Sequence, residues 1–210
     1  MFSIALPKGR LGDKVYDLLE TVGYGCASYE HDSRKLIFHD ESRGVSYFWV
    51  KPSDVAVYVE HGAADVGVVG KDIIEDSSPD IYELADLKMG KCEMCVAAKT
   101  DWCDDITRPL RVATKFVNVT KKYYSIIGRD IEVIKLNGSI ELAPILGMSD
   151  VIVDIVETGT TLKENNLKVY AHIFPISARL IVNKASYKFK SSEILTFTHK
   201  LTREVKAEDD

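Results

Sequence analysis

Residues 151–166, VIVDIVETGTTLKENN, place small hydroxyl-bearing residues directly after an apolar run. The β-branched residues predict a strand, and the sequence after the turn favours a helix. At such a turn several backbone N–H groups lack an intrahelical partner, and the helix dipole adds partial positive charge. Thr158, Thr160 and Thr161 add hydroxyl donors, and Gly159 permits close approach of a ligand. These groups predict a site for a phosphate.

Two carboxylates, Asp154 and Glu157, lie beside the predicted phosphate site. They would repel a phosphate that they faced, but they can accept hydrogen bonds from neutral hydroxyl groups such as those of a ribose. We therefore interpret residues 154–161 as a site for ribose 5-phosphate. The alternative is an ordinary turn in which these side chains cap a helix. The spacing matches neither the Walker A motif nor the G-x-G-x-x-G dinucleotide motif.

Basic residues in other turns are candidates for binding further phosphate groups. Lys8 and Arg10 flank a glycine in LPKGRL, and Arg34 lies in DSRKL. The planar fork of arginine matches two phosphate oxygens at once, so this set could bind a di- or triphosphate. Lys51, directly before a proline, is a further candidate. For each of them the alternative is a basic turn that only faces solvent.

The remaining candidates are a glutamate and a pair of cysteines. Glu141 follows the strand-ending sequence LNGS, where it could reach a ligand or simply favour the start of a helix. Cys92 and Cys95 have the spacing of a metal or redox motif. On a strand, however, residues three apart point to opposite faces, and no second Cys or His pair completes a tetrahedral site. We predict buried thiols and no metal held by the protein alone.

The elements that must position these residues alternate between strand and helix, which is typical of an α/β fold with largely parallel sheets. The pattern restarts near Lys91, and the two similar halves predict two lobes with a ligand-binding cleft between them. Ligands of α/β proteins gather at the carboxyl ends of strands, where the candidate turns lie. The predicted strands are Phe2–Leu6, Leu36–His39, Val45–Val50, Asp65–Val69, Cys92–Ala98, Leu110–Ala113, Glu132–Leu136, Val151–Asp154, Lys168–Ile173 and Ser177–Val182.

Composition excludes several classes of function. The 210 residues include 27 basic and 32 acidic ones, a balance that argues against nucleic-acid binding and against attachment to an acidic membrane surface. No apolar run approaches the roughly 18 residues of a membrane span, and residues 1–6 are too short for a signal peptide. We expect a soluble, cytoplasmic protein.

Six segments in order resemble the ATP phosphoribosyltransferase family: ALPKGRL, SRKLIF, YVEHGAADVGVVGKD, RVATKFVNV, IKLNGSIELAP and DVIVDIVETGTTLKENNL. The resemblance implies a two-lobed fold like type II periplasmic binding proteins, with mixed, mostly parallel sheets around a central cleft. Residues 1–90 with 179–210 would form the first lobe, and residues 91–178 the second. It also implies Mg²⁺-dependent transfer of 5-phosphoribosyl from phosphoribosyl pyrophosphate to N1 of ATP, releasing pyrophosphate, as the first step of histidine biosynthesis.

The resemblance also implies roles for single residues. Asp154, Glu157, Thr158, Gly159, Thr160 and Thr161 match the family's phosphoribosyl loop. Arg10 and Arg34 match cations that stabilise the pyrophosphate leaving group or bind ATP phosphates, with Mg²⁺ held mainly by the substrate phosphates. Lys8, Lys51 and Glu141 are further substrate-binding positions, and at position 51 relatives are expected to carry Arg at least as often as Lys.

The length of the chain resembles the short form of the family, which lacks a C-terminal histidine-binding domain. This form implies a homodimer that joins a hetero-oligomer with a regulatory subunit resembling histidyl-tRNA synthetase. Two other functions stay open on the residues alone. One is a non-catalytic module of the same fold that binds a small anion, and the other is a phosphoribosyltransferase that takes a free base.

Overall fold

The computed structural model describes residues 1–26, 28, 29 and 35–209. Its strands are β1 (Phe2–Pro7), β2 (Ile37–Asp40), β3 (Val45–Val50), β4 (Val66–Gly70), β5 (Ile81–Asp86), β6 (Cys92–Lys99), β7 (Leu110–Thr114), β8 (Ile131–Lys135), β9 (Val151–Val156), β10 (Leu167–Ile176) and β11 (Ala178–Asn183). Its α-helices are α1 (Arg10–Leu19), α2 (Val55–Glu60), α3 (Lys71–Ser77), α4 (Val117–Ile126), α5 (Leu142–Ile145), α6 (Thr160–Glu164), α7 (Lys184–Phe189) and α8 (Ser191–Asp209). A π-helical segment, Glu20–Tyr24, continues α1, and a 3-10 turn, Pro52–Asp54, precedes α2.

The chain forms two compact units. The first contains the described residues of Met1–Ile74, Ser78–Gly90 and Ser177–Asp210, and the second contains Glu75–Ser77 and Lys91–Ile176. The chain therefore passes into the second unit after β5 and returns just before β11, two residues earlier than the predicted start of the returning segment at 179.

The first unit is built on a sheet with the strand order β2-β3-β1-β4-β11-β5. Side chains of β1 alternate between its two faces, as the period of a strand requires. Phe2, Ile4 and Leu6 are buried in the cluster that includes residues of α1 and α8, whereas Ala5 is buried in the cluster that includes α2. Helices therefore cover both faces of this sheet, and its core strands are apolar on both sides.

The second unit is built on a sheet with the order β10-β6-β9-β7-β8. Its core joins Ala97, Ala113 and Ile152 on three neighbouring strands to Ile140 and to Leu162 of α6. Burial of Leu162 anchors α6 against this sheet, so the turn between β9 and α6 is held at the carboxyl end of β9.

The sheets are mixed, as predicted, but parallel pairs are not in the majority. Among the described strands four pairings are parallel and five are antiparallel. The expectation of mostly parallel sheets fails because strand–helix alternation fixes direction only where a helix connects the strands, as α4 connects β7 to β8. β5 follows α3 and β10 follows α6, but each pairs antiparallel with a strand to which no helix directly connects it, β11 and β6 respectively. Within the described ranges, every helix is too short or too polar to cross a lipid bilayer.

Candidate functional site

A cavity of about 260 Å³ lies in the second unit at the carboxyl end of β9. Seven of the predicted site residues line it, namely Glu141, Asp154, Glu157, Thr158, Gly159, Thr160 and Thr161. Its remaining walls come from Cys95, Ala97, Ile152, Ile155, Val156 and Leu162. The cavity is therefore mostly polar at its rim and apolar where it meets the sheet, which is the usual composition of a small-molecule site.

The turn between β9 and α6 carries hydroxyl groups close together. The Thr158 and Thr160 Oγ1 atoms lie 3.0 Å apart, and the Thr160 N–H donates to Thr158 Oγ1 over 3.4 Å. Gly159 has φ +73°, a left-handed conformation that a residue with a Cβ adopts only with strain. Helix α6 has five residues, so its dipole is smaller than the sequence suggested. The donors for an anion are instead the threonine hydroxyls and the amides of the turn.

The two predicted ribose acids lie on the same cavity wall. Asp154 is half-buried on β9, and its Oδ1 accepts a hydrogen bond of 2.8 Å from the Ile155 N–H. Glu157 is exposed one residue after the strand ends. Glu141 reaches the same cavity from the start of α5. These three carboxylates offer hard oxygen atoms, which suit ligand hydroxyls and also the preference of Mg²⁺ for oxygen ligands.

The sequence did not predict a second cluster of polar side chains on the same sheet. Cys95 pairs with Asp154 on β9 and with His172 on β10, so the three residues form one row across the sheet. Cys95 Sγ lies 3.6 Å from His172 Nδ1, and the same nitrogen contacts a carboxylate oxygen of Glu93. Burial, together with the negative charge of Glu93, raises the pKa of the Cys95 thiol to about 11. The cysteine spacing alone could not show this row, because its partner lies 77 positions away.

Three of the predicted cations follow adjacent parallel strands of the first unit. The Lys8 N–H donates to the Val50 carbonyl over 2.8 Å, which extends the β1–β3 pairing by one residue and brings Lys8 next to Lys51 along the same sheet edge. Arg10 begins α1 two residues later, after Gly9 at φ +100°. All three side chains are exposed. Arg34 lies outside the described residues, so its predicted role rests on the sequence alone.

Comparison with known proteins gives concordant results. The family model of ATP phosphoribosyltransferase (HisG) matches residues 51–203. An ATP phosphoribosyltransferase of Brachyspira hyodysenteriae is 60% identical over 197 residues, which cover 93% of this chain and 96% of that protein. The ATP phosphoribosyl transferase (HisG:HisZ) complex from Thermotoga maritima contains a chain with a TM-score of 0.86 and 36% identity, covering 99% of this chain and 100% of that one.

A more distant solved structure shows the fold alone. A histidine kinase sensor domain with similarity to periplasmic binding proteins has a TM-score of 0.62 at 12% identity, covering 100% of this chain and 92% of that one. The predicted fold class, α/β with the architecture of periplasmic binding proteins, is thereby confirmed.

Proposed function

This chain belongs to the ATP phosphoribosyltransferase family, and from that membership we propose that it transfers 5-phosphoribosyl from phosphoribosyl pyrophosphate to N1 of ATP, as the first step of histidine biosynthesis. The observation that carries the proposal is the cavity beside β9, in which hydroxyl donors and carboxylates adjoin. A simple phosphate site would have no use for the carboxylates, whereas a sugar phosphate needs both groups.

The turn 158–161 binds the 5-phosphate in this proposal. The hydroxyls of Thr158 and Thr160, already 3.0 Å apart, can turn outward to donate to two phosphate oxygens, and Thr161 adds a third hydroxyl. Gly159 lets the backbone come close to the anion because no Cβ stands in the way. Holding the phosphate at one end fixes the position of the sugar carbon that reacts.

Asp154 and Glu157 accept hydrogen bonds from the ribose hydroxyls. Departure of pyrophosphate leaves positive charge on the ribose, and nearby carboxylates stabilise that charge as it develops. N1 of adenine is a neutral nucleophile with an available lone pair, so the reaction needs no strong general base. Orientation and electrostatic stabilisation therefore account for most of the catalysis in this proposal.

The leaving group and the phosphates of ATP require cations. Lys8, Arg10 and Lys51 are the described residues proposed to bind them, with Arg34 added from the sequence. When bound, Mg²⁺ supplies further positive charge at the pyrophosphate oxygens, and the carboxylates of Asp154 and Glu157 are hard donors suited to assist the substrate phosphates in holding it.

We also propose a homodimer that joins a hetero-oligomer with a histidyl-tRNA-synthetase-like regulatory subunit in the cytoplasm. The support is the similarity to the Thermotoga maritima chain, which was solved as a HisG:HisZ complex. Light scattering of the chain with and without a HisZ subunit would test this assembly.

The activity is tested by mixing the purified chain with ATP, phosphoribosyl pyrophosphate, Mg²⁺ and pyrophosphatase, and by following ultraviolet absorbance of an N1-substituted adenine nucleotide. The double variant Asp154→Ala/Thr158→Ala should lower kcat/KM by about 100-fold or more, since each lost stabilising group costs that order of magnitude. The matched control, Asp101→Ala/Thr196→Ala, removes the same groups at exposed positions that do not line the cavity.

The same assay separates the alternatives. A non-catalytic binding module would bind phosphoribosyl pyrophosphate without releasing pyrophosphate, even with the regulatory subunit present. A transferase for a free base would release pyrophosphate only when that base replaces ATP. Either result would overturn the proposed reaction, while the fold would stand.

A further inference from the structure

We propose that Glu93, Cys95 and His172 form a binding site for one Zn²⁺ ion at the edge of the cavity. The possible ligand atoms of these three residues all lie within 4.8 Å of one another. Glu93 and Cys95 are two apart on β6 and so face the same side of the sheet, and His172 lies directly opposite Cys95 on β10. A register irregularity in β10 directly after His172 marks the position where the three side chains converge.

The separation of the sulfur from the imidazole nitrogen fits a tetrahedral ion. With a Zn–S bond of about 2.3 Å and a Zn–N bond of about 2.1 Å, two tetrahedral ligands are separated by about 3.6 Å. Cys95 Sγ and His172 Nδ1 are separated by 3.6 Å. The same Nδ1 also contacts the Glu93 carboxylate. To become the third ligand, the exposed Glu93 carboxylate moves away from Nδ1, since two ligands of one tetrahedral Zn²⁺ lie about 3.4 Å apart.

The donor set selects the type of ion. A thiolate, an imidazole nitrogen and one carboxylate suit Zn²⁺ or Co²⁺, whereas Mg²⁺ and Ca²⁺ prefer oxygen alone. The thiolate and the carboxylate together carry two negative charges, which one divalent ion neutralises. Cys95 is buried while Glu93 and His172 are exposed, so an ion can enter from solvent and reach the sulfur. Three protein ligands leave one position open.

Zn²⁺ bound at this site also affects ligand binding in the neighbouring cavity, and this second inference rests on the proposed function. Cys95 lines the cavity and pairs with Asp154, so the two side chains are direct neighbours on one sheet face. A divalent ion on Cys95 attracts the Asp154 carboxylate away from the ribose hydroxyls. Zn²⁺ at this site therefore weakens binding of phosphoribosyl pyrophosphate.

Binding is tested with Co²⁺ as a spectroscopic substitute, in thiol-free buffer containing excess Mg²⁺. We expect a thiolate-to-cobalt absorption band that saturates at one ion per chain and is lost on adding Zn²⁺. The band should vanish in Cys95→Ser. Affinity for Co²⁺ should fall more than about 10-fold in His172→Ala, since losing even a residue that only hydrogen-bonds to a metal ligand costs about 10–100-fold. His172 is exposed, so this variant should fold.

Cys92→Ser and Cys103→Ser are the matched controls and should keep the band. No band in the native chain, or a band that survives Cys95→Ser, would overturn the site. Inhibition is measured separately, as the Zn²⁺ concentration that halves turnover. This concentration should be more than about 10-fold higher for His172→Ala than for the native chain. Equal inhibition of both chains would refute the link to the cavity. A chain that binds Co²⁺ but forms no product would contradict the proposed function and leave the metal site intact.

Discussion

At the scale of single residues, Arg10 is the described side chain for which a leaving-group role makes the sharpest prediction. A cation that acts on charge developing as pyrophosphate departs contributes more to the transition state than to substrate binding. Arg10→Ala should therefore lower kcat by about 100-fold while raising the KM for phosphoribosyl pyrophosphate much less. Steady-state kinetics with the pyrophosphatase-coupled assay measures both values.

Lys14→Ala is the control for Arg10→Ala, because it removes one exposed positive charge from the same helix about one turn further along. It should leave both kinetic constants nearly unchanged. If Arg10→Ala raised KM and left kcat intact, Arg10 would be a residue for uniform substrate binding, and the leaving-group role would rest on the other cations.

At the scale of elements, the position of Arg10 depends on how closely α1 approaches β1. A Cβ at Gly12 would lie 1.8 Å from the Pro7 carbonyl oxygen, which belongs to the backbone and cannot turn away. Gly12→Ala must push α1 off the sheet, and this overpacking should lower the free energy of unfolding by about 1–3 kcal/mol despite the better helix propensity of alanine. Urea unfolding followed by circular dichroism measures the loss.

Gly138→Ala tests whether the Gly12 effect comes from this close approach. A Cβ at Gly138 meets no atom within 4 Å, and its φ is not in the left-handed region. Its free energy of unfolding should stay within about 0.5 kcal/mol of that of the native chain. An equally small change in Gly12→Ala would show that α1 moves without cost.

The strands that the sequence predicted well are those that the local pattern of apolar residues is sufficient to specify. β1, β3 and β9 follow apolar runs, and strands were predicted at both positions that pair as β2 and β3. β5 was missed, because its sequence IYELAD alternates weakly and its strand character comes from pairing with β11. Partner choice between distant strands depends on the whole sheet and leaves little local trace.

The candidate site likewise has one part that the sequence predicted and one part that it did not. The turn from Asp154 to Thr161 is contiguous in sequence, so its residue types alone pointed to one group of residues, and these line the cavity. Their role in binding ribose 5-phosphate stays a prediction. The row joining Cys95 to His172 arises from the register of β6 against β10, which has two irregularities along its length. One shifted residue would turn His172 to the other face, and no spacing rule in the sequence fixes that register.

At the scale of the whole molecule, the chain enters the main part of the second unit after residue 90 and returns at residue 177. Hydrogen bonds inside the first unit join the outgoing segment, residues 86–90, to the returning segment, residues 177–178. Leu87 N–H donates to the Ala178 carbonyl, and Ala178 N–H donates to the Met89 carbonyl, both over 2.9 Å. Beside them, Asp86 Oδ1 accepts from Ser177 Oγ over 2.8 Å. This carboxylate therefore ties the outgoing segment to the returning one.

Asp86 should make the stability of the chain sensitive to acid. Burial raises its pKa, but hydrogen bonds from the Lys88 backbone and amine and from Ser177, with the charge of Arg179, outweigh burial and lower the pKa to about 2. Because the folded pKa lies below the unfolded value, the stabilisation is complete above about pH 4 and is lost as the pH falls towards 2. Asp86→Asn removes the charge and should cost about 1–2 kcal/mol at pH 7, a value reduced for partial solvent exposure.

The decisive quantity is the difference in unfolding free energy between the native chain and Asp86→Asn, measured by urea titration from pH 7 to pH 2. It should stay constant down to about pH 4 and then shrink, because protonation removes from the native chain the same charge that the substitution removed. Asp101→Asn, an exposed carboxylate in a turn, controls for the general loss of negative charge. A difference that stays constant to pH 2 would mean that the hydrogen-bond geometry of Asp86, and not its charge, joins the outgoing segment to the returning one.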